Sequence, residues 1–333
     1  MKGCILLFGM PRSGTSWIGK LFDSHPDTLY RHEPDSVNKL SLPLYPGMPD
    51  ANSYRDELRA FVAGLPELRA SKVVGKLPLF PKRYQSAPGL LAYRTGVMFA
   101  KAASGFGRPV PVWSRPTGRS NTSVRLVWKS IESLGRLGVC VEVLPEARSI
   151  HILRHPCGYV ASVLRGDAEA HFGDVGASAD HLWILKRLLE VPTAQRHGLR
   201  LEELQAMAPE ERLAWRWCLS QEKTLADTAR CARVLAVRYE DVCVEPMGMT
   251  RRMFEFTGLG WDTQTEAFIS ASTGASGDDY YSVFRDSRRA AESWQSDLSA
   301  ATIDRIMAVV RNSGLAHLYG GNPAFGAVPE EAA

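Results

Sequence analysis

The sequence predicts an α/β fold, three layers with helices on both faces of a central, mostly parallel sheet, and three observations predict it. Cys4-Ile5-Leu6-Leu7-Phe8 is an unbroken apolar run ended by Gly9, and apolar residues at helical spacing (Trp17, Ile18, Leu21, Phe22) follow it. The same strand–turn–helix order returns at Ser149-Ile150-His151-Ile152-Leu153, where Arg154-His155-Pro156 leads into Tyr159, Val160, Val163 and Leu164. Further short strand candidates, Arg125–Trp128 and Val234–Val237, are spaced among helical stretches, and strands that alternate with helices build parallel sheets.

Cys4–Phe8 lacks polar alternation, so as a strand it must be buried on both faces. Ser16–Ser24 is an amphipathic helix. Thr28–Arg31 reads as a short strand ending just before His32-Glu33-Pro34. Residues 34–120 are rich in Pro, Gly and Arg, with helical stretches near Tyr54–Gly64 and Leu90–Ala103; the segment is too long for a simple connection and reads as an insertion. Pro156 suits the first turn of the helix that follows Arg154. Asp167–Asp180, rich in Gly, Ala and Asp, reads as a mobile loop, and Pro209–Arg230 and Asp297–Asn312 as long helices. Residues 1–320 form one domain in this reading, and 321–333 a disordered tail with little apolar content.

The composition narrows the function classes. A chain of 333 residues that is 45% hydrophobic and 23% charged is an ordinary globular protein. Its net charge of +4 admits anionic ligands but not the dense basic face of a nucleic-acid coat. Six scattered cysteines, without a CxxC pair, read as reduced and mostly buried thiols. The N-terminal apolar run is shorter than a signal peptide requires, and no stretch approaches the roughly 20 apolar residues of a membrane span. The expectation is a cytoplasmic protein with no stable membrane insertion.

Gly9-Met10-Pro11-Arg12-Ser13-Gly14-Thr15-Ser16 has the glycine spacing of a Walker A loop, GxxxxGK[ST], which makes the fold P-loop-type. Such glycines let successive backbone N–H groups converge on phosphate, and the helix that follows adds its positive end. The lysine position, however, holds Thr15. A metal-dependent kinase needs that lysine and an acidic residue near magnesium, whereas the second strand here ends in Arg154.

Pro11-Arg12-Ser13-Gly14-Thr15-Ser16-Trp17 resembles the 5′-phosphosulfate motif of the sulfotransferase family. Arg154, with Ser162 eight residues later, resembles that family's 3′-phosphate motif. Phe22-Asp23-Ser24-His25-Pro26-Asp27 with His32-Glu33-Pro34 is similar to the carbohydrate and tyrosylprotein branches; Glu33 lies 21 residues after Arg12, the position of the base in the tyrosylprotein branch. Val127-Trp128-Lys129-Ser130 resembles the strand-end lysine of these enzymes, and Val237-Arg238-Tyr239-Glu240-Asp241 the segment near adenosine. Two features depart from the small-molecule branch: Arg12 stands for its loop lysine, and Gly75-Lys76-Leu77-Pro78 has Leu77 where its catalytic histidine would be.

The resemblance implies transfer of a sulfuryl group from 3′-phosphoadenosine-5′-phosphosulfate to a hydroxyl, without a metal. Arg12, Ser13, Gly14, Thr15 and Ser16 would hold the 5′ end, Arg154 and Ser162 the 3′-phosphate, and Tyr239 the adenosine. Glu33 would be the base and Lys129 would stabilise the moving group, with Lys76 a weaker candidate for that task. His32 is the runner-up base, although strand alternation would aim it away from Glu33. Arg288 and Arg289 resemble a basic loop that covers the nucleotide. The insertion 34–120 would lie on the acceptor side. The acceptor implied is a carbohydrate, with a peptide tyrosine, a lipid or another small molecule as alternatives. A P-loop kinase and a non-catalytic nucleotide-binding protein are the rivals from other classes.

Overall fold

The computed structural model describes residues 2–104, 110–116, 123–168, 181–273 and 287–319. Most of Asp167–Asp180 and the tail 321–333 lie outside the described residues.

Strand β1 (Lys2–Gly9) runs into helix α1 (Thr15–Ser24) and strand β2 (Thr28–His32). Next come α2 (Arg55–Gly64), α3 (Ser71–Val74), α4 (Ala87–Ser104), β3 (Arg125–Ser130), α5 (Leu137–Val143), β4 (Arg148–Leu153), α6 (Pro156–Ala168) and, later, β5 (Val234–Arg238). Among the described residues the sheet has five strands in the order β2-β3-β1-β4-β5, and every pairing is parallel.

β1 is central, and its run of apolar residues has the expected cause. Ile5 and Leu7 face one layer, with Ile18 and Phe22 of α1 and Met253, Phe254 and Ile269 of later helices. Cys4, Leu6 and Phe8 face the other, with Trp128, Leu137, Tyr159 and Trp217. Burying each such side chain contributes about 1.5–3 kcal/mol, and only a strand covered on both sides can collect that from consecutive residues.

The helix expected over Asp297–Asn312 is split into Trp294–Asp297 and Ala300–Asn312, because the Ser299 hydroxyl accepts from Thr302 N–H (3.2 Å) and starts a new helix. Within 34–120, Val73, Val74, Tyr93, Val97, Ala100 and Val112 make a small core of their own. Three buried cations fasten this segment to the sheet. Lys20 of α1 donates to the carbonyls of Lys76 (2.5 Å) and Pro78 (2.9 Å). Lys82 pairs with Asp23 at 3.0 Å, and Arg31 of β2 donates to the carbonyls of Leu65 and Pro66, each at 2.8 Å.

None of the six cysteines is in a disulfide; Cys231 is half-buried and the others are buried. Among the described residues no helix is long and apolar enough to cross a membrane.

Candidate active site

Parallel strands deliver their carboxyl ends to one edge of the sheet, and ligands of such sheets bind there where the strand order reverses. Here the edge carries a candidate residue at or just after each strand: the Arg12 loop after β1, Glu33 after β2, Lys129 in the last turn of β3, Arg154 after β4 and Tyr239 after β5.

The phosphate loop is tightly made. Arg12 and Gly14 both have positive φ (68° and 75°), and the Ser13 N–H closes the turn on the Met10 carbonyl (3.3 Å). Gly14 is required on two counts: its φ, and the Tyr239 ring, whose carbon would lie 2.1 Å from an added Cβ. Gly14 also caps α1 without any side-chain bond, and no acidic residue sits in the first turn. Thr15 and Ser16 are therefore not the cap, and the N–H groups of the first turn face the loop. The buried Ser13 hydroxyl has no hydrogen-bond partner. A bound anion would supply one.

Arg154 and Ser162 are joined to this loop directly. The Arg12 Nε donates to the Ser162 hydroxyl at 3.0 Å, and Arg154 Nη1 donates to the Arg12 carbonyl at 2.5 Å. The Arg154 guanidinium lies 5.2 Å from the centre of the Tyr239 ring, and its Nε is buried without a partner. Trp217, a core residue, also donates Nε1–H to the Arg154 carbonyl (3.0 Å). Arg154 Nη2 donates to the Ala290 carbonyl at 3.2 Å, so the helix Ser287–Glu292 reaches this arginine by its backbone. Arg288 and Arg289 on that helix are exposed.

On the other side of β1, β2 and β3 run in register with His32 opposite Lys129, and the Glu33 N–H extends the ladder to the Lys129 carbonyl at 2.8 Å. Lys129 Nζ then meets Glu33 Oε1 at 2.5 Å. Burial alone would raise the Glu33 pKa; the Lys129 charge and hydrogen bond, helped by Lys72 and Lys76, outweigh it and hold the carboxyl below its ordinary value. Glu33 is thus ionised at neutral pH.

One sequence expectation fails here. Strand alternation was to separate His32 from Glu33, yet His32 Nε2 lies 3.5 Å from Glu33 Oε1. The reason is that β2 ends at His32 and Glu33 takes a left-handed conformation (φ 47°, ψ 52°), which breaks the pleat and brings both side chains to one side.

Sequence reasoning also missed Asp35 and Lys72. Asp35 is buried and accepts from the hydroxyls of Ser130 and Ser133, the latter at 2.6 Å, so it pins the end of β3 next to Lys129. Its place two residues after Glu33 was the available signal. Lys72 sits on α3, in the segment that offered no motif. Lys76, the weaker candidate, acts on Glu33 through its charge and is anchored at its carbonyl by Lys20. Among the described residues no group of His, Cys, Asp or Glu has a metal-binding arrangement.

Residues 4–263 match the profile described as Sulfotransferase family. Carbohydrate sulfotransferase 1 of Danio rerio is 22% identical, over 93% of this chain and 76% of that protein. Carbohydrate sulfotransferase 5 of Mus musculus is 24% identical, over 91% and 77%. Among solved structures, the sulfotransferase domain from the curacin biosynthetic pathway is similar at a TM-score of 0.44 and 14% identity, covering 93% of this chain and 98% of that one. With a phosphate loop that carries arginine in place of lysine, a strand-end Arg154–Ser162 pair and a profile match over most of its length, the chain belongs to the sulfotransferase family and is a sulfotransferase.

Proposed function

We propose that this sulfotransferase takes its sulfuryl group from 3′-phosphoadenosine-5′-phosphosulfate and passes it to a carbohydrate hydroxyl, with Glu33 as the base. The observation that carries this reading is the Lys129–Glu33 pair, a buried cation and an ionised carboxylate at 2.5 Å on the edge of the sheet that also bears the phosphate loop. The residues suit the donor. The orphaned Ser13 hydroxyl and the uncapped N–H groups of α1 fit an anion at the 5′ end, and the orphaned Arg154 Nε fits one at the 3′ end.

When bound, the donor supplies a sulfur that accepts an oxygen nucleophile and a phosphate that leaves. The chain's own residues do the rest. Glu33 takes the proton of the acceptor hydroxyl as the new S–O bond forms. Arg12 and the loop N–H groups bind the oxygen that gains charge as the old S–O bond breaks, and Lys129 neutralises the group in transit. The sulfated hydroxyl and 3′-phosphoadenosine 5′-phosphate are the products, and the proton leaves from Glu33. Side chains and backbone provide the positive charge that this scheme needs, so no metal enters it.

The relatives named carbohydrate sulfotransferases support a carbohydrate acceptor. The expectation of a cytoplasmic site of action is part of the same proposal. Calorimetry with 3′-phosphoadenosine 5′-phosphate against AMP and ATP tests the donor. The bisphosphate is expected to bind at least about tenfold more tightly than AMP, as one charge-assisted contact implies. Equal affinities would refute the donor, and a preference for ATP with magnesium would revive the kinase.

A further inference from the structure

A base held by its own ion pair needs something to keep its orientation when that cation turns to the moving sulfuryl group. Tyr30 and His32 stand behind Glu33 on the same strand. The Tyr30 hydroxyl lies 2.8 Å from His32 Nδ1, and His32 Nε2 lies 3.5 Å from Glu33 Oε1. Tyr30 and His32 are buried, each 6% exposed, and Glu33 is half-buried. Among the described residues Glu33 Oε2 makes no hydrogen bond, so the two facing donors, Lys129 and His32, address Oε1 alone.

The protons along this row are determined by its chemistry. A phenol is the better donor to a neutral imidazole, and burial, reinforced by the charges of Asp23 and Glu33, holds the Tyr30 hydroxyl protonated far above its ordinary range. His32 Nδ1 is then the favoured acceptor of the 2.8 Å contact. Burial, with Lys129, Lys76, Lys20 and Lys72 around it, keeps the imidazole neutral. Its remaining proton is then on Nε2, which lies 3.5 Å from Glu33 Oε1. At 3.5 Å this is a contact in waiting, longer than a good hydrogen bond while Lys129 occupies the same oxygen.

We propose that Tyr30 and His32 are positioning residues for Glu33: Tyr30 selects the Nε2–H tautomer of His32, which holds Oε1 as Lys129 turns to the sulfuryl group and leaves Oε2 to take the acceptor proton. The proposal rests on Glu33 being the base, but the tautomer does not depend on that reading.

The test uses the full chain labelled with nitrogen-15 at histidine. At neutral pH the His32 ring is expected as the neutral Nε2–H tautomer, and Tyr30→Phe is expected to mix in the Nδ1–H form. A wild-type Nδ1–H tautomer or an imidazolium overturns the proposal. Kinetically, Tyr30→Phe and His32→Leu should each lower kcat about tenfold or more, the loss of one hydrogen bond to a charged group, with the affinity for 3′-phosphoadenosine 5′-phosphate kept. His32→Gln, whose amide N–H can reach the same oxygen, should recover most of it. Unchanged kcat in a folded His32→Leu protein also overturns the proposal. In a Glu33→Gln background Tyr30→Phe should have no further effect on turnover. Full turnover by Glu33→Gln itself would instead remove the base assignment, with the tautomer result still standing.

Discussion

The two halves of the sheet edge are built on different principles. On the β1–β4–β5 side, cations are tied to the frame through backbone groups and hydroxyls. Arg154 is held by the Arg12 and Ala290 carbonyls, Arg12 by Ser162, and the turn after β4 by the bond from the His155 N–H to Glu240 (2.8 Å). On the β2–β3 side, charge is matched with charge: Lys129 with Glu33, and Lys20 and Lys82 with Asp23. Contacts made through backbone groups and hydroxyls suit one invariant ligand. A set of buried, mutually dependent charges sets a proton affinity, and single substitutions should shift it. Substitutions on the first side should therefore appear in donor binding, and those on the second in turnover and its pH dependence.

The largest effect should come from Glu33→Gln, which keeps the shape and removes the proposed base. Turnover is expected to fall about 10²–10⁴-fold, the usual range for a general base, with the affinity for 3′-phosphoadenosine 5′-phosphate nearly unchanged by calorimetry. A large loss of affinity would erase the division between the halves. Arg12→Ala should cost about 10²–10³ in kcat, the range for one charge-stabilising donor, and should weaken the donor as well. If only turnover changed, Arg12 would belong with the base and not with the frame.

The two sides also differ in how much of them the sequence discloses. The β1–β4–β5 side is written in contiguous residues: a glycine with the φ that the loop needs, and an arginine placed just after a strand. β1 and β4 were readable for the same local reason, since runs such as Ile5-Leu6-Leu7-Phe8 allow few fates. The β2–β3 side depends mostly on partners far apart in the chain. Lys20, Lys82 and Arg31 look like surface residues until Asp23 and the carbonyls at positions 65, 66, 76 and 78 come together around them. Glu33 was found, but its closeness to His32 was not, because nothing local announces the left-handed turn that Glu33 takes after the strand. Asp35 likewise reads as a polar turn residue until β3 arrives with Ser130 and Ser133.

Smaller effects sharpen the comparison. Arg154→Ala should weaken 3′-phosphoadenosine 5′-phosphate by about ten- to a hundredfold, the loss of charge-assisted bonds, and leave AMP almost unaffected. The ratio of the two affinities is the measurement. A parallel loss for both nucleotides would mean that Arg154 serves the loop, through its bond to the Arg12 carbonyl, and not the 3′-phosphate.

The smallest effect, and the finest test of the charge-matched side, is Lys72→Met. Lys72 is exposed, yet its charge helps hold Glu33 below the ordinary carboxylate range. Glu33 works as a base only when ionised, so activity is present above its pKa and lost as pH falls through it. Removing a positive neighbour moves that pKa upward, and the acid limb of the pH–rate profile should move upward with it, while turnover at pH 7 changes by less than about twofold. Salt screens exposed charges more than buried pairs. Added salt should therefore move the wild-type limb towards that of the variant, and the variant's own limb less. An acid limb that ignored both Lys72 and salt would mean that the buried Lys129 pair alone sets the proton affinity of Glu33, with Lys72 adding nothing to it.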